Sequence, residues 1–100
     1  MKSRFHEAAD AELSEALAYY DDKAFGLGDR FLSDVKAATK YLEQFPEMAP
    51  LIEQGVRAKT LVRFPYSLMY VVEEHELYIV ALAHQARRPG YWADRKPGGG

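Results

Sequence analysis

A histidine, two adjacent arginines and two large aromatics stand together at 84–92, in His84-Gln85-Ala86-Arg87-Arg88-Pro89-Gly90-Tyr91-Trp92. A hydrophobic run over 77–83 leads straight into them. Guanidinium groups are permanently charged planar forks that match phosphate oxygens. Histidine exchanges a proton near neutral pH. Upstream, Arg57, Lys59 and Arg63 recur at spacings of two and four in a stretch that reads as a strand, which would give them one common face. Such a set suits binding of a phosphate or a nucleic-acid backbone. It also suits RNA cleavage without a metal. There a 2′-OH attacks its own phosphate, and the reaction needs a base, an acid for the leaving oxygen and cations where negative charge develops. For that chemistry Arg63, His84, Arg87 and Tyr91 are the candidate catalytic residues, with Arg57, Lys59, Arg88 and Trp92 as candidate binding residues. The same types also fit a solvated strand face, arginines paired with carboxylates and aromatics packed on the core. At the level of sequence both readings stand.

Other chemistries are excluded more firmly. The chain has no cysteine, so disulfides and thiolate metal sites are ruled out. His6, His75 and His84 are scattered, and no metal site is expected. Gly26-Leu27-Gly28 lacks the preceding strand and third glycine of a nucleotide-binding loop and reads as a turn. No Gly-x-Ser-x-Gly supports a serine nucleophile, and no cofactor is expected. The first residues carry no apolar signal region, and the longest apolar run is far too short to span a membrane. A cytoplasmic protein with no membrane contact is the expectation.

The elements that would position these residues follow from periodicity. One hundred residues, 48% of them hydrophobic, make one domain with a modest core. Over 7–24, Ala9, Leu13, Ala16, Leu17, Tyr20 and Ala24 recur at helical spacing. Over 29–45, Phe31, Val35, Ala38, Leu42 and Phe45 do so more strongly, with Asp29 as the expected N-cap and Pro46 as the stop. A loop follows to Gly55, with Leu51 and Ile52 expected to touch the core. Residues 56–84 then change to a period near two, giving strands over 56–64, 66–72 and 77–83, the last buried on both faces. A short strand over 3–6 completes the order β-α-α-β-β-β. The expected fold is α+β, with an N-terminal helical hairpin packed on a small antiparallel sheet. The domain is expected over 1–92, with a flexible C-terminal tail over 93–100. Charge divides along the chain: residues 1–54 hold 6 Lys+Arg against 11 Asp+Glu, and residues 55–100 hold 7 against 4. That division suggests two faces with different roles.

The ordered set of stretches Glu15-Ala16-Leu17-Ala18-Tyr19-Tyr20, Leu27-Gly28-Asp29-Arg30-Phe31, Phe45-Pro46-Glu47-Met48-Ala49-Pro50, Arg63-Phe64-Pro65-Tyr66-Ser67-Leu68-Met69-Tyr70 and Ile79-Val80-Ala81-Leu82-Ala83-His84 resembles the RelE/ParE superfamily of toxins from type II toxin–antitoxin systems. The Tyr19-Tyr20 pair, the Leu27-Gly28 connection and the Phe64-Pro65-Tyr66 turn are most similar to its ParE-like, plasmid-stabilisation branch. The resemblance implies a cognate antitoxin partner, a possible hetero-oligomer with it, and growth inhibition when the toxin is free. ParE-like members poison DNA gyrase, while RelE-like members cut mRNA in the ribosome. The expected function is a ParE-like toxin that binds a target such as gyrase. The alternatives are a RelE-like ribosome-dependent endoribonuclease using Arg63, His84, Arg87 and Tyr91, and a non-toxic binding module. The net charge of −2 weighs against the ribonuclease, because a protein seated among RNA phosphates gains from positive charge. Tyr19, Leu61, Met69 and Tyr78 are expected to contribute to the antitoxin surface.

Overall fold

The structure is a computed structural model that describes residues 1–97. The strongest helical periodicity produces α2 (Leu27–Gln44), which buries Phe31, Val35, Ala38 and Leu42. Its start is three residues earlier than an Asp29 cap would put it. The chain enters from Gly26 in the left-handed region, φ 78°, and Asp29 sits inside the first turn, where its charge suits the helix dipole. Gly28 is buried, and a side chain there would run into Asp21 of α1 (Glu7–Lys23). That close approach sets the tight helical hairpin. α1 begins behind His6, whose Nδ1 accepts the Ala8 N–H at 3.0 Å. It turns Ala9, Leu13, Ala16, Leu17 and Tyr20 to the core.

Among the described residues the order is β-α-α-β-β-β-β, and the fold is α+β with the hairpin against one sheet face. The strands are β1 (Lys2–Phe5), β2 (Leu51–Glu53), β3 (Val56–Thr60), β4 (Tyr66–Val72) and β5 (Glu76–His84). They lie in the order β1-β5-β4-β3-β2. The meander is antiparallel, but β1 pairs in parallel with β5, so the sheet is mixed. β2 is the strand that the periodicity does not reveal. It has three residues, and Leu51 and Ile52 stay 58% and 46% exposed rather than reaching the core. β3 ends at Thr60, which leaves Arg63 in the following turn. β5 is buried throughout 77–83, as a central strand should be.

Two apolar layers fill the molecule. On the helix side an aromatic group of Tyr20, Phe31, Phe64 and Tyr66, with ring centroids 5.0–6.3 Å apart, pins the 64–66 turn to the hairpin. On the far side Val56, Tyr78, Val80, Ala81 and Ala83 form a second cluster. A bulge makes it possible. Met69 lies opposite Ala81 but Tyr70 lies opposite Ile79, so Val80 and Ala81 both face the far side while Ile79 and Leu82 face the helices. Trp92, 2% exposed, closes this layer. Its indole is part of this second core cluster. Within the tail expected from residue 93, Ala93–Arg95 form a 3-10 turn. Residues 98–100 of that tail lie outside the described residues.

Removing the Trp92 indole opens the far layer. Trp92→Ala should cost about 3–5 kcal/mol, read from urea unfolding. A loss below about 1 kcal/mol would show that the far face is closed by something else.

Candidate functional site

His84 ends β5 and stacks edge-on against Tyr66, with centroids 5.0 Å apart. The chain then turns, and the 84–92 segment encloses a cleft of about 210 Å³ bordered by Ser67, Met69, His84, Arg87, Arg88 and Tyr91. Gly90, at φ 78°, permits the turn that brings Tyr91 and Trp92 back under the sheet. On the opposite side of His84, Tyr19, Tyr20, Pro65 and Tyr66 line a second opening of about 380 Å³.

Five of the eight residues expected at the site line this cleft: His84, Arg87, Arg88, Tyr91 and Trp92. Their hydrogen bonds limit their chemistry. His84 Nδ1 accepts the Ala86 N–H at 2.9 Å, so the neutral ring carries its proton on Nε2 and serves as a donor there. Tyr91 donates to Glu12 Oε2 at 2.8 Å. Burial first, then the Glu12 hydrogen bond and charge, push its phenol far above the usual tyrosine value, against the opposing charges of Arg87 and Arg95. A phenol held so firmly is a poor proton donor to a leaving group. Arg87 stacks on the Tyr91 ring, 3.9 Å from its centroid, and lies 3.9 Å from Glu12 Oε2. Among the described residues Arg88 meets no carboxylate.

The remaining candidates are elsewhere. Arg63 grips Asp34 of α2 with two hydrogen bonds, 2.6 and 3.2 Å, which raise its already high pKa. With Lys59 it borders a groove separate from the His84 cleft. Arg57 donates to the carbonyls of Glu47 and Ala49 at 3.0 and 2.9 Å, holding the 46–50 loop. Lys59 stands over the Tyr41 ring at 5.3 Å. Of the residues expected on an antitoxin surface, Tyr19 is 55% exposed, whereas Leu61 and Tyr78 are buried at 6% and 8%.

Glu12, absent from the residues expected at the site, joins it. Its side chain is 12% exposed. It accepts the Leu82 N–H at 3.0 Å, the Tyr91 hydroxyl and Arg95 Nη1 at 3.0 Å, and Arg95 also reaches the Val80 carbonyl. A signal for it exists in the sequence: Glu12 stands three residues after Ala9 and four before Ala16, which puts it on the buried stripe. The suggestion of two differently charged faces is also corrected. Arg57, Arg63, Arg87 and Arg95 from the basic half meet Glu47, Asp34 and Glu12 from the acidic half. Among the described residues no group of three or more acidic or histidine side chains could hold a metal ion, and no helix is long and apolar enough to cross a membrane.

A family model described as the ParE toxin of the type II toxin–antitoxin system parDE matches residues 4–89. Among solved structures, a chain of the "Chromosomal ParDE TA system from P. aeruginosa" is similar over 84% of this chain and 95% of its own, with 25% sequence identity and a TM-score of 0.71. No curated protein matches the chain.

The Tyr91 environment predicts how stability responds to alkali. Its pKa is higher folded than the ordinary 10.0, so its contribution is complete below pH 10 and is lost as pH rises from there toward the folded value. Wild-type stability should fall with pH in that window, and Tyr91→Phe should make the fall shallower. Glu12→Ala should bring the Tyr91 phenol down toward the ordinary range, seen by absorbance titration of the phenolate against Tyr91→Phe. Equal alkaline slopes in wild type and Tyr91→Phe would contradict this reading.

Proposed function

The chain belongs to the ParE toxin family of type II toxin–antitoxin systems, and from that premise we propose that it inhibits growth in the cytoplasm by binding a target, DNA gyrase, and is neutralised by a cognate antitoxin in a hetero-oligomer. The observation that carries binding over RNA cleavage is the state of the candidate catalytic groups. Arg63 is engaged by Asp34 in a separate groove. The Tyr91 hydroxyl donates its hydrogen bond to Glu12, and His84 Nδ1 is occupied by the Ala86 N–H. Cleavage requires a base, an acid and cations around one phosphate, and these groups are instead spread over two clefts and committed to structural partners. The net charge of −2 gives no long-range attraction to ribosomal RNA. What the His84 cleft does offer is recognition: an imidazole Nε2–H, the half-exposed Arg87 and the Arg88 guanidinium around a concave surface. These donors suit carboxylates on a protein target.

One preparation of the protein tests this in two assays. Gyrase supercoiling should be inhibited, and in vitro translation should proceed with mRNA intact. Arg87→Ala and Arg88→Ala together should weaken gyrase inhibition by about tenfold or more, the scale of losing charge-assisted contacts. Codon-positioned mRNA cuts that disappear in Arg87→Ala would transfer the protein to the ribonuclease reading. Induction without growth arrest, with both assays silent, would leave it a non-toxic binding module.

A further inference from the structure

β2 shields only the first half of β3. Leu51 pairs with Arg57 and Glu53 with Val56, and the Ala58 N–H finds the Pro50 carbonyl at 3.1 Å. Beyond that point the edge is open. On the inner side the Leu61 N–H reaches the Tyr66 carbonyl at 2.9 Å, and Lys59 is paired with Leu68 in the same register. Alternation then turns the Thr60 N–H and C=O outward, as it does the Ala58 N–H. Among the described residues nothing meets these Thr60 groups. Val62 follows at 94% exposure. An unpaired strand edge is a template for another strand.

Beside this edge, on its helix side, lies a mainly apolar groove of about 330 Å³ between α2 and 59–63, walled by Ala37, Ala38, Tyr41 and Leu61. Two cations border it. Among the described residues Lys59 has no carboxylate partner. Arg63 spends Nε and Nη2 on Asp34 but is 63% exposed and retains unused donors. Backbone groups on an edge, an apolar slot on one side of it and positive charge at the border are what an added strand needs. The backbone supplies affinity and alternate side chains supply specificity.

We propose that the open edge at Thr60, the last residue of β3, and the chain that follows it to Val62, with the groove beside it and the cations Lys59 and Arg63, receive an extended segment of a partner protein in which apolar and acidic residues alternate. Apolar side chains of that segment drop into the slot by Tyr41 and Leu61, and its carboxylates meet Lys59 and Arg63. The inference rests on the reading of the chain as a neutralised toxin, and the antitoxin encoded beside it is the partner to try. A second copy of this chain is a poorer occupant, because its own β3 edge would bring Lys59 and Arg63 toward cations of the same sign.

The test uses the full-length toxin and its neighbouring antitoxin, with hydrogen exchange read at single amides and affinity read by titration. The Thr60 and Val62 amides should become protected on complex formation. Lys59→Glu should weaken the antitoxin by about tenfold, in line with a charge reversed at an interface, and Thr60→Pro should remove the edge donor with a similar loss. Thr60→Pro is read only after its unfolding midpoint matches wild type, and Lys59→Glu stands as the independent variant if it does not. A complex that forms normally while these amides stay unprotected and Lys59→Glu binds as well as wild type would overturn the edge proposal alone. Absence of any complex with wild-type toxin would overturn the neutralised-toxin reading, and the proposal with it. Protection that grows with the concentration of toxin alone would mean that a second copy takes the edge, and would also overturn it.

Discussion

A single carboxylate holds the site together. β1 ends at Phe5 and the chain leaves through His6, whose N–H bonds to the Ile79 carbonyl at 2.9 Å. From Val80 onward β5 therefore has no strand on that side. The bulge at Val80 and Ala81 leaves the Leu82 N–H facing this gap. A buried backbone donor without a partner costs on the order of 1–3 kcal/mol. Glu12 answers it from α1, and its remaining lone pairs collect Tyr91 and Arg95. The charge is tolerable because several donors share it. One side chain thus caps a strand edge, docks the C-terminal turn and orients the ring on which Arg87 stacks.

The ion pairs explain why charge along the chain misleads about surfaces. Arg57, Arg63, Arg87 and Arg95 of the second half find carboxylates of the first, the last three across large sequence separations. Such pairs stabilise modestly when exposed, but they fix where each cation points. Among the described residues, Arg88 at the His84 cleft and Lys59 beside Tyr41 meet no carboxylate, so their charges are not fixed in this way.

Much of the fold was legible because it depends on periodicity. The helical repeat over Phe31, Val35, Ala38 and Leu42, and the unbroken apolar run before His84, each have one physical solution, and both elements form where expected. Features that depend on contact were not legible. β2 is too short to carry a pattern and is held by pairing with β3. The parallel partner of β1 is decided by the path of the hairpin, about which four residues say nothing. Trp92 and Tyr91 look alike in sequence, yet the turn at Gly90 buries one fully and leaves the other half-buried against Glu12. Site residues were gathered by type, and type does not report which carboxylate an arginine will meet. Arg63 shows this most clearly: strand parity places it with Lys59, and the early end of β3 delivers it to Asp34.

The parallel pairing of β1 with β5 also has a meaning in time. The strand that pairs with β1 comes far along the chain from it, and so do the groups that satisfy Glu12. Contacts of such sequence separation close slowly, because loop entropy is lost before they repay it. A ribosome that has made the hairpin and the first strands of the meander has not yet made anything with a finished surface around His84. The surface around His84 therefore closes only once β5 and the turn that carries Tyr91 and Arg95 have both been made.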